Sequence, residues 1–232
     1  MIRARQLILG FILLLGMTGI ATANSGRLVA DLSKSKIAIT SGFHGTDLLL
    51  LGAVDGPAGD VILVVISGTP TDIAQRRKAK RAGIWINVET NIWQKAPSLY
   101  TILTTSPIDK IASPETLASL AIGTNNIGLE IAAETPIAGQ LKPTADEFIA
   151  ALQANMANID LWPRQTGSVT LTKNALFRAE VKLPANILTG TYDVRVLQFR
   201  NGVAISEDIT NLYINKEGLS AGIYNFAHNY SA

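Results

Sequence analysis

The residue types that most often perform catalysis or bind metals are scarce in this sequence. It contains two histidines, His44 and His228, and no cysteine. A zinc site of three histidines, an HExxH motif and any thiolate site are therefore excluded for a single chain. The lack of cysteine also excludes a thiol nucleophile. We accordingly expect neither a metal ion nor a cofactor.

A serine hydrolase is an enzyme class for which the side chains are available. His44 lies in a loop between two predicted strands, and Ser41 or Ser98 could supply the hydroxyl of a triad with an aspartate. No nucleophile elbow or other ordered motif surrounds these residues. We interpret His44 as a polar loop residue and expect a protein that is not an enzyme. An envelope hydrolase centred on His44 is the less favoured alternative.

Phosphate and calcium sites are not indicated either. No glycine-rich stretch with the spacing of a dinucleotide or nucleoside triphosphate loop joins a strand to a helix. A calcium site would need several acidic residues in one cluster. The aspartates instead stand apart at the ends of predicted strands, where turn formation explains them. They are Asp31, Asp47, Asp55, Asp60 and Asp72.

A run of cations is the most conspicuous polar feature of the sequence. Between positions 76 and 81, five of the six residues are lysine or arginine, in a chain that otherwise balances its charges. A solvated loop or short helix would account for such a run. The functional interpretation is contact with anionic lipid headgroups, where each cation contributes about 1 kcal/mol, or with the acidic surface of an inner-membrane protein. The predicted contact residues are Arg76, Arg77, Lys78, Lys80, Arg81, Trp85 and Trp93.

The aromatic residues near this run allow two interpretations. Trp85 and Trp93 follow the cations closely, and tryptophan is typical of membrane interfaces and protein contacts. Alternatively, the region from Trp93 to Tyr100 could form a stacking platform for a small molecule or a glycan. That function would require the rings to line a concave pocket, whereas burial in the core would exclude it.

The N-terminal segment predicts export. Two arginines form a short basic region, and residues 7–20 are all apolar, glycine or threonine. An Ala-Thr-Ala sequence then offers the small-x-small pattern that signal peptidase cleaves, which predicts a signal peptide over residues 1–23. An uncleaved anchor is the alternative, although residues 7–23 are fewer than the roughly 20 needed to cross a bilayer. In both cases the arginines stay in the cytoplasm and the remaining chain lies on the periplasmic side.

Without the signal peptide the chain is neutral and of moderate length. About 209 residues remain, and the formal net charge falls from +2 to zero because the leader holds two arginines and no acidic residue. A neutral exported chain gives no electrostatic case for binding nucleic acid. The length accommodates two immunoglobulin-like sandwiches of roughly 100 residues each. Their stability must come from packed sheets, since no disulfide can form.

The first half of the mature chain predicts strands. Residues 36–40 alternate apolar and polar side chains. Residues 47–54 and 60–67 are apolar runs of strand length, separated by turn-forming residues, and we expect them to be central strands covered on both sides. Residues 83–88 and 99–105 predict two further strands of the same module.

One amphipathic helix is predicted between the two β-rich halves. Thr144 and Glu147 form a capping box, and apolar residues then recur at helical spacing. We expect a helix over residues 144–159 that covers the second sheet. Beyond it, residues 175–183 alternate apolar and charged side chains, which indicates a strand with one buried face.

The last predicted strands have an immunoglobulin-like pattern. A Gly-x-Tyr-x-Val-x-Val sequence begins at Gly190 and is typical of the strand entry where a tyrosine corner forms. Asn201 and Gly202 then predict a hairpin turn. The expected fold is therefore all-β, with immunoglobulin-like β-sandwich modules at residues 27–125 and 126–217. Residues 218–232 are expected to form a juxtamembrane-like segment.

The order of these segments resembles a family of alphaproteobacterial transmembrane proteins to which no activity is assigned. The resemblance lies in residues 37–52, 76–78, 83–87, 175–178, 183–185, 201–202 and 216–227. It implies a cleaved signal, an exported β-rich domain and a C-terminal transmembrane helix just after residue 227. The sequence ends at Ala232, before such a helix. The resemblance implies no catalytic or binding residue.

The expected function follows from location and surface chemistry. We expect a non-enzymatic accessory or interaction domain on the periplasmic side of the inner membrane. Its expected partner is an inner-membrane protein or an anionic lipid surface, and not a nucleic acid. The sequence makes no prediction about its oligomeric state.

Overall fold

The computed structural model describes residues 27–136 and 144–217, with the backbone alone for residues 132–136. The predicted signal peptide, residues 1–23, and the predicted juxtamembrane-like segment, residues 218–232, lie outside the described residues. In the part of the chain that is described, no helix combines the length and the apolar character needed to span a membrane.

The described chain is mostly β, as predicted. The strands are β1 (Leu28–Leu32), β2 (Lys36–Ile39), β3 (Thr46–Val54), β4 (Val61–Ser67), β5 (Pro70–Arg81), β6 (Ile84–Pro97), β7 (Tyr100–Thr104), β8 (Glu130–Pro136), β9 (Gly167–Thr172), β10 (Leu176–Leu183), β11 (Gly190–Arg200) and β12 (Val203–Lys216). A 3₁₀ helix (Ile108–Lys110) and the helices α1 (Pro114–Ser119) and α2 (Ala145–Asn158) complete the elements.

Nine of these strands form one large sheet in the order β1-β3-β10-β9-β7-β4-β11-β12-β2. Neighbouring strands are antiparallel except in the pairs β7–β9 and β12–β2. The sheet curls until its ends approach each other, since the Ala30 amide of β1 donates to Asp208 Oδ2 of β12 at 2.7 Å. Because its two ends approach each other, the curled sheet can enclose an apolar core on its inner side.

Strands from both halves of the chain alternate within this sheet. β3 pairs with β10, and β4 pairs with β11, so each early apolar strand lies beside a strand from the second half. We predicted a boundary between two modules after residue 125. That boundary does not separate two sheets in the structure. The physical reason is that inner strands need hydrogen-bonding partners on both edges, and β10 and β11 supply one edge each for β3 and β4. β4 is buried on both faces, as predicted, whereas Leu51 of β3 is 46% exposed, so the prediction that β3 is covered on both sides is wrong.

The remaining strands form a smaller sheet in the order β5-β6-β8. Helix α2 lies against this sheet, because the Gln75 side-chain amide of β5 donates to the Phe148 carbonyl of α2 at 3.1 Å. The prediction that this helix covers the second module is therefore wrong. The capping box between Thr144 and Glu147 is confirmed. The predicted apolar face is buried up to Met156, but Ile159 caps the helix and is 48% exposed.

Two features of the last hairpin follow the sequence closely. The Tyr192 hydroxyl donates to the Leu188 carbonyl, four residues upstream, at 2.6 Å. Asn201 and Gly202 have φ angles of 50° and 84° and join β11 to β12, which confirms the predicted turn. Positive φ at both central residues matches the twist of the flanking strands, and Asn-Gly adopts it at little cost.

Candidate interaction surface

The predicted basic run forms a strand. All of its cations lie on β5, which is paired with β6 through a two-residue turn at Ala82 and Gly83. Their φ angles of 47° and 85° match those of the Asn201–Gly202 turn. A loop or short helix was the plainer prediction for this run. It is wrong because alternate β5 residues such as Gln75 are buried beneath α2, which fixes the segment in strand geometry.

The β5–β6 hairpin extends beyond its own sheet. Within residues 27–136 and 144–217, β8 pairs with β6 from Glu89 to Gln94, and residues 78–87 pair only with each other across the hairpin. We call residues 78–87 the hairpin tip. Four residues of each strand and the two-residue turn extend beyond the described pairs of β6 and β8, and four residues correspond to about 14 Å at the usual strand rise. Residues 81–87 are all exposed.

Apolar side chains are concentrated at the end of this arm. Ile84, Trp85 and Ile86 are 67%, 66% and 44% exposed. Directly opposed residues share a face of the hairpin. Trp85 therefore lies on one face opposite Lys80, whereas Ile84 lies on the other face opposite Arg81. Both faces of the hairpin tip thus combine an apolar group with a cation.

The base of the hairpin is held rigidly by polar contacts under α2. Arg77 Nε donates to Glu89 Oε2 at 2.9 Å, and the Glu89 side chain is only 4% exposed. Trp93 Nε1 donates to Gln75 Oε1 at 2.7 Å. Trp93 is 1% exposed, so its predicted place on the contact surface is wrong. Its apolar ring is more stable in the core, where the amide of Gln75 satisfies its single donor.

The predicted contact residues therefore divide into two groups. Lys78, Lys80, Arg81 and Trp85 are exposed on the hairpin tip, and Arg76 is exposed on β5 nearer the base of the hairpin. Arg77 and Trp93 instead lie at its base, where their hydrogen bonds to Glu89 and Gln75 link the two strands of the hairpin. The structure thus leaves five of the seven predicted residues exposed on the hairpin, distributed over both of its faces.

The sequence interpretation missed Ile84 and Ile86 as surface residues. They were treated as part of an ordinary strand, whose alternate residues would be buried. The available signal was the sequence Gly83-Ile-Trp-Ile, which places three consecutive apolar residues directly after a turn and a run of cations. Consecutive apolar residues at the end of a hairpin cannot all face one core, because successive side chains point to opposite faces.

The predicted aromatic platform does not form. Trp93 and Tyr100 are 1% and 2% exposed, and neither ring presents a face to solvent. The Tyr100 hydroxyl donates to the Ala121 carbonyl at 3.2 Å and accepts from the Gly123 amide at 3.0 Å. Burial raises the pKa of this tyrosine above its usual value. Its role is to attach the loop after α1 to the sheet.

The surroundings of His44 supply no triad geometry. His44 is exposed in the loop between β2 and β3 and makes no hydrogen bond to a carboxylate or hydroxyl among the described residues. A general base must lie within hydrogen-bond reach of the proton it removes. Within residues 27–136 and 144–217, no group of three or more histidine, aspartate or glutamate side chains is arranged to hold a metal ion.

The fold and this surface define a class of protein: a mostly β domain in which a large curled sheet carries a smaller sheet with a basic, apolar-tipped hairpin. The chain belongs to the family described as "Putative transmembrane protein (Alph_Pro_TM)", whose model matches residues 27–232. This is the family that the sequence resembles, and membership is consistent with association with a membrane. No curated protein matches the chain.

Proposed function

We propose that this protein is a non-enzymatic interaction domain that operates at the periplasmic surface of the inner membrane and makes contact there through its hairpin tip. One observation carries the proposal: three consecutive exposed apolar residues lie at the end of an arm that also carries Lys78, Lys80 and Arg81 and no acidic residue. The family description supports a membrane setting. The basic and apolar pattern of residues 1–23 supports export.

The cations on β5 could serve only to prevent edge-to-edge pairing with other sheets, and the apolar residues argue against that role alone. Lysine and arginine on an edge strand prevent sheets from pairing edge to edge, and β5 is an edge strand. That role explains Lys78 and Lys80 but leaves Ile84 and Trp85 unexplained. Exposed apolar groups that cluster together and are rimmed by polar residues are typical of contact sites. The hairpin tip has this composition on both of its faces.

We also infer that the large sheet is a single immunoglobulin-like sandwich with an insertion. Its two halves, β1-β3-β10-β9 and β7-β4-β11-β12, follow the order of the ABED and C′CFG sheets of that fold. The Tyr192 hydrogen bond lies at the start of β11, where such a fold places its tyrosine corner. In this interpretation β5, β6, α1, β8 and α2 are insertions around strand β7.

Photocrosslinking from the hairpin tip tests the proposed function in cells. A photoreactive amino acid would replace Ile84 and, as a matched control, Val203. Each residue directly follows a two-residue turn, and the two are 67% and 61% exposed. We expect position 84 to give adducts with membrane components after irradiation and position 203 to give few. Equal adduct yields from the two positions would contradict the proposal.

A further inference from the structure

We propose that the hairpin tip inserts end-on into the interface of an anionic bilayer, with its apolar residues at the headgroup–acyl boundary and its cations on lipid phosphates. This inference rests on the proposed function and names the partner of the same surface. The chemistry of the ligand is a phosphate-bearing anionic lipid surface, and not a free phosphate, because a soluble ion would leave the apolar residues in water.

The order of side chains along the arm matches the layers of a membrane interface. From the end of the hairpin, successive cross-strand pairs are Arg81 with Ile84, Lys80 with Trp85, and residue 79 with Ile86. Three pairs at about 3.4 Å each span about 10 Å, and interfacial segments bury their apolar groups about 5–10 Å deep. Trp85 would lie at the headgroup level, where tryptophan is enriched.

The cations are placed to contact headgroups without entering the hydrocarbon. Lys78 lies behind all three apolar residues, towards the body of the protein, and Lys80 lies level with Trp85, which is expected at the headgroup level. Arg81 lies at the end, but its long side chain can extend back to the headgroups while its aliphatic part stays buried. Residues 78–87 contain no aspartate or glutamate. Among the described residues these three cations form no ion pair.

A protein groove fits this arrangement less well than a bilayer. A groove on a partner protein would cover one face of the hairpin, and a partner strand paired with β5 would cover one edge. The apolar residues of the hairpin tip lie on both of its faces. A bilayer surrounds an inserted tip on every side, so it buries Ile84 and Trp85 together. The charge pattern also suits a surface of closely spaced phosphates, because the cations likewise occupy both faces.

Quenching of tryptophan fluorescence by brominated lipids tests this inference. The chain holds three tryptophans, and Trp93 and Trp162 are 1% and 3% exposed, so Trp85 is the accessible reporter among them. The 232-residue chain would be mixed with vesicles of brominated phosphatidylcholine, with and without phosphatidylglycerol. We expect quenching that requires the anionic lipid and that Trp85→Phe removes. Quenching that persists in this variant would overturn the inference.

Charge variants then test the role of the cations. Lys78→Ser/Lys80→Ser/Arg81→Ser should lower the vesicle partition constant about 100-fold, since each cation near an anionic surface multiplies it about fivefold. The matched control replaces the exposed residues Lys173, Arg178 and Lys182 with serine. Both triple variants change the net charge equally and keep the same terminal segments. Equal loss of partitioning in the two variants would overturn the inference.

The two experiments separate failure of the inference from failure of the proposed function. Crosslinking from position 84 to a membrane protein, without quenching of Trp85 by anionic vesicles, would overturn the lipid assignment and leave the proposed function standing. Absence of both signals from a chain that urea unfolding shows to be folded would overturn both. Quenching should also weaken at 1 M salt, where the screening length falls to about 3 Å.

Discussion

Replacing Asp60 with alanine is expected to lower the free energy of unfolding by about 1–3 kcal/mol, the cost of leaving buried or half-buried hydrogen-bond donors without their acceptor. The Asp60 carboxylate, 6% exposed, accepts from Arg200 Nε at 2.9 Å and from Arg200 Nη2 at 2.8 Å. It also accepts from the amide of Gln198, which is fully buried. The substitution would leave both donors without this acceptor between β4 and β11. Urea unfolding measures the effect.

The same carboxylate predicts a dependence of stability on pH. The hydrogen bond from Arg200 lowers the pKa of Asp60 below its usual value of 3.8, and Gln198 contributes in the same direction. The folded state therefore binds fewer protons than the unfolded state just below pH 3.8. This part of the stability is complete above that pH and is lost as the pH falls through the folded-state pKa.

Two controls make the Asp60 prediction specific. Asp47→Ala removes an exposed carboxylate that makes no side-chain hydrogen bond among the described residues, and should change stability by less than about 0.5 kcal/mol. The stability of the wild-type chain should fall in acid as Asp60 becomes protonated. The Asp60→Ala variant should lack this part of the fall. Equal effects from the two alanine substitutions would refute the buried ion pair as a source of stability.

Gly52→Ala is the second substitution with a large expected effect. Gly52 lies in β3 between β1 and β10, directly opposite Phe177, whose ring lies over the glycine. An added Cβ would overlap that ring and would also lie 2.5 Å from the Val29 carbonyl oxygen. Because a backbone atom must move as well as a side chain, we expect a loss of about 3 kcal/mol, the upper part of the range for overpacking.

Gly42→Ala provides the matched control for this substitution. A Cβ at Gly42 would meet no atom within 4 Å. The change should therefore leave the stability within about 1 kcal/mol of the wild-type value, since it mainly restricts the unfolded chain. Urea unfolding of both variants measures the difference. If Gly52→Ala proved as stable as Gly42→Ala, the close packing of Phe177 on β3 would be wrong.

Local patterns in the sequence were sufficient to predict most individual elements. The alternation in residues 175–183 predicted β10, whose residues are alternately exposed and buried. The capping box at Thr144 predicted the start of α2. These predictions succeed because the burial period and the cap both act within a few residues of the chain.

The pairing of strands could not be predicted in the same way. One neighbour of β3 in the sheet is β10, and these two strands are more than 100 residues apart in the chain. An apolar run indicates that a strand needs neighbours, but many strands have compatible faces. The choice depends on how the whole sheet curls. Dividing the chain into consecutive modules therefore overlooked the alternation of the two halves.

The candidate site was predicted in composition but not in shape. The cations and Trp85 were identified because their types suit an interface. Their position on a hairpin depends on the pairing of β5 with β6 beyond the described pairs of β6 and β8, which no local pattern encodes. Trp93 was misplaced for a related reason: its burial depends on Gln75 and on the position of α2.

Cysteine accessibility in native envelopes tests most directly whether the hairpin tip is a covered contact surface. The chain contains no cysteine, so Ile84→Cys and Val203→Cys each introduce a single reactive thiol. We expect a membrane-impermeant maleimide to label position 203 equally well in envelopes and after detergent extraction, and position 84 rapidly only after extraction. Position 84 reacting as fast as position 203 in intact envelopes would show that nothing covers the hairpin tip and would contradict the proposed function.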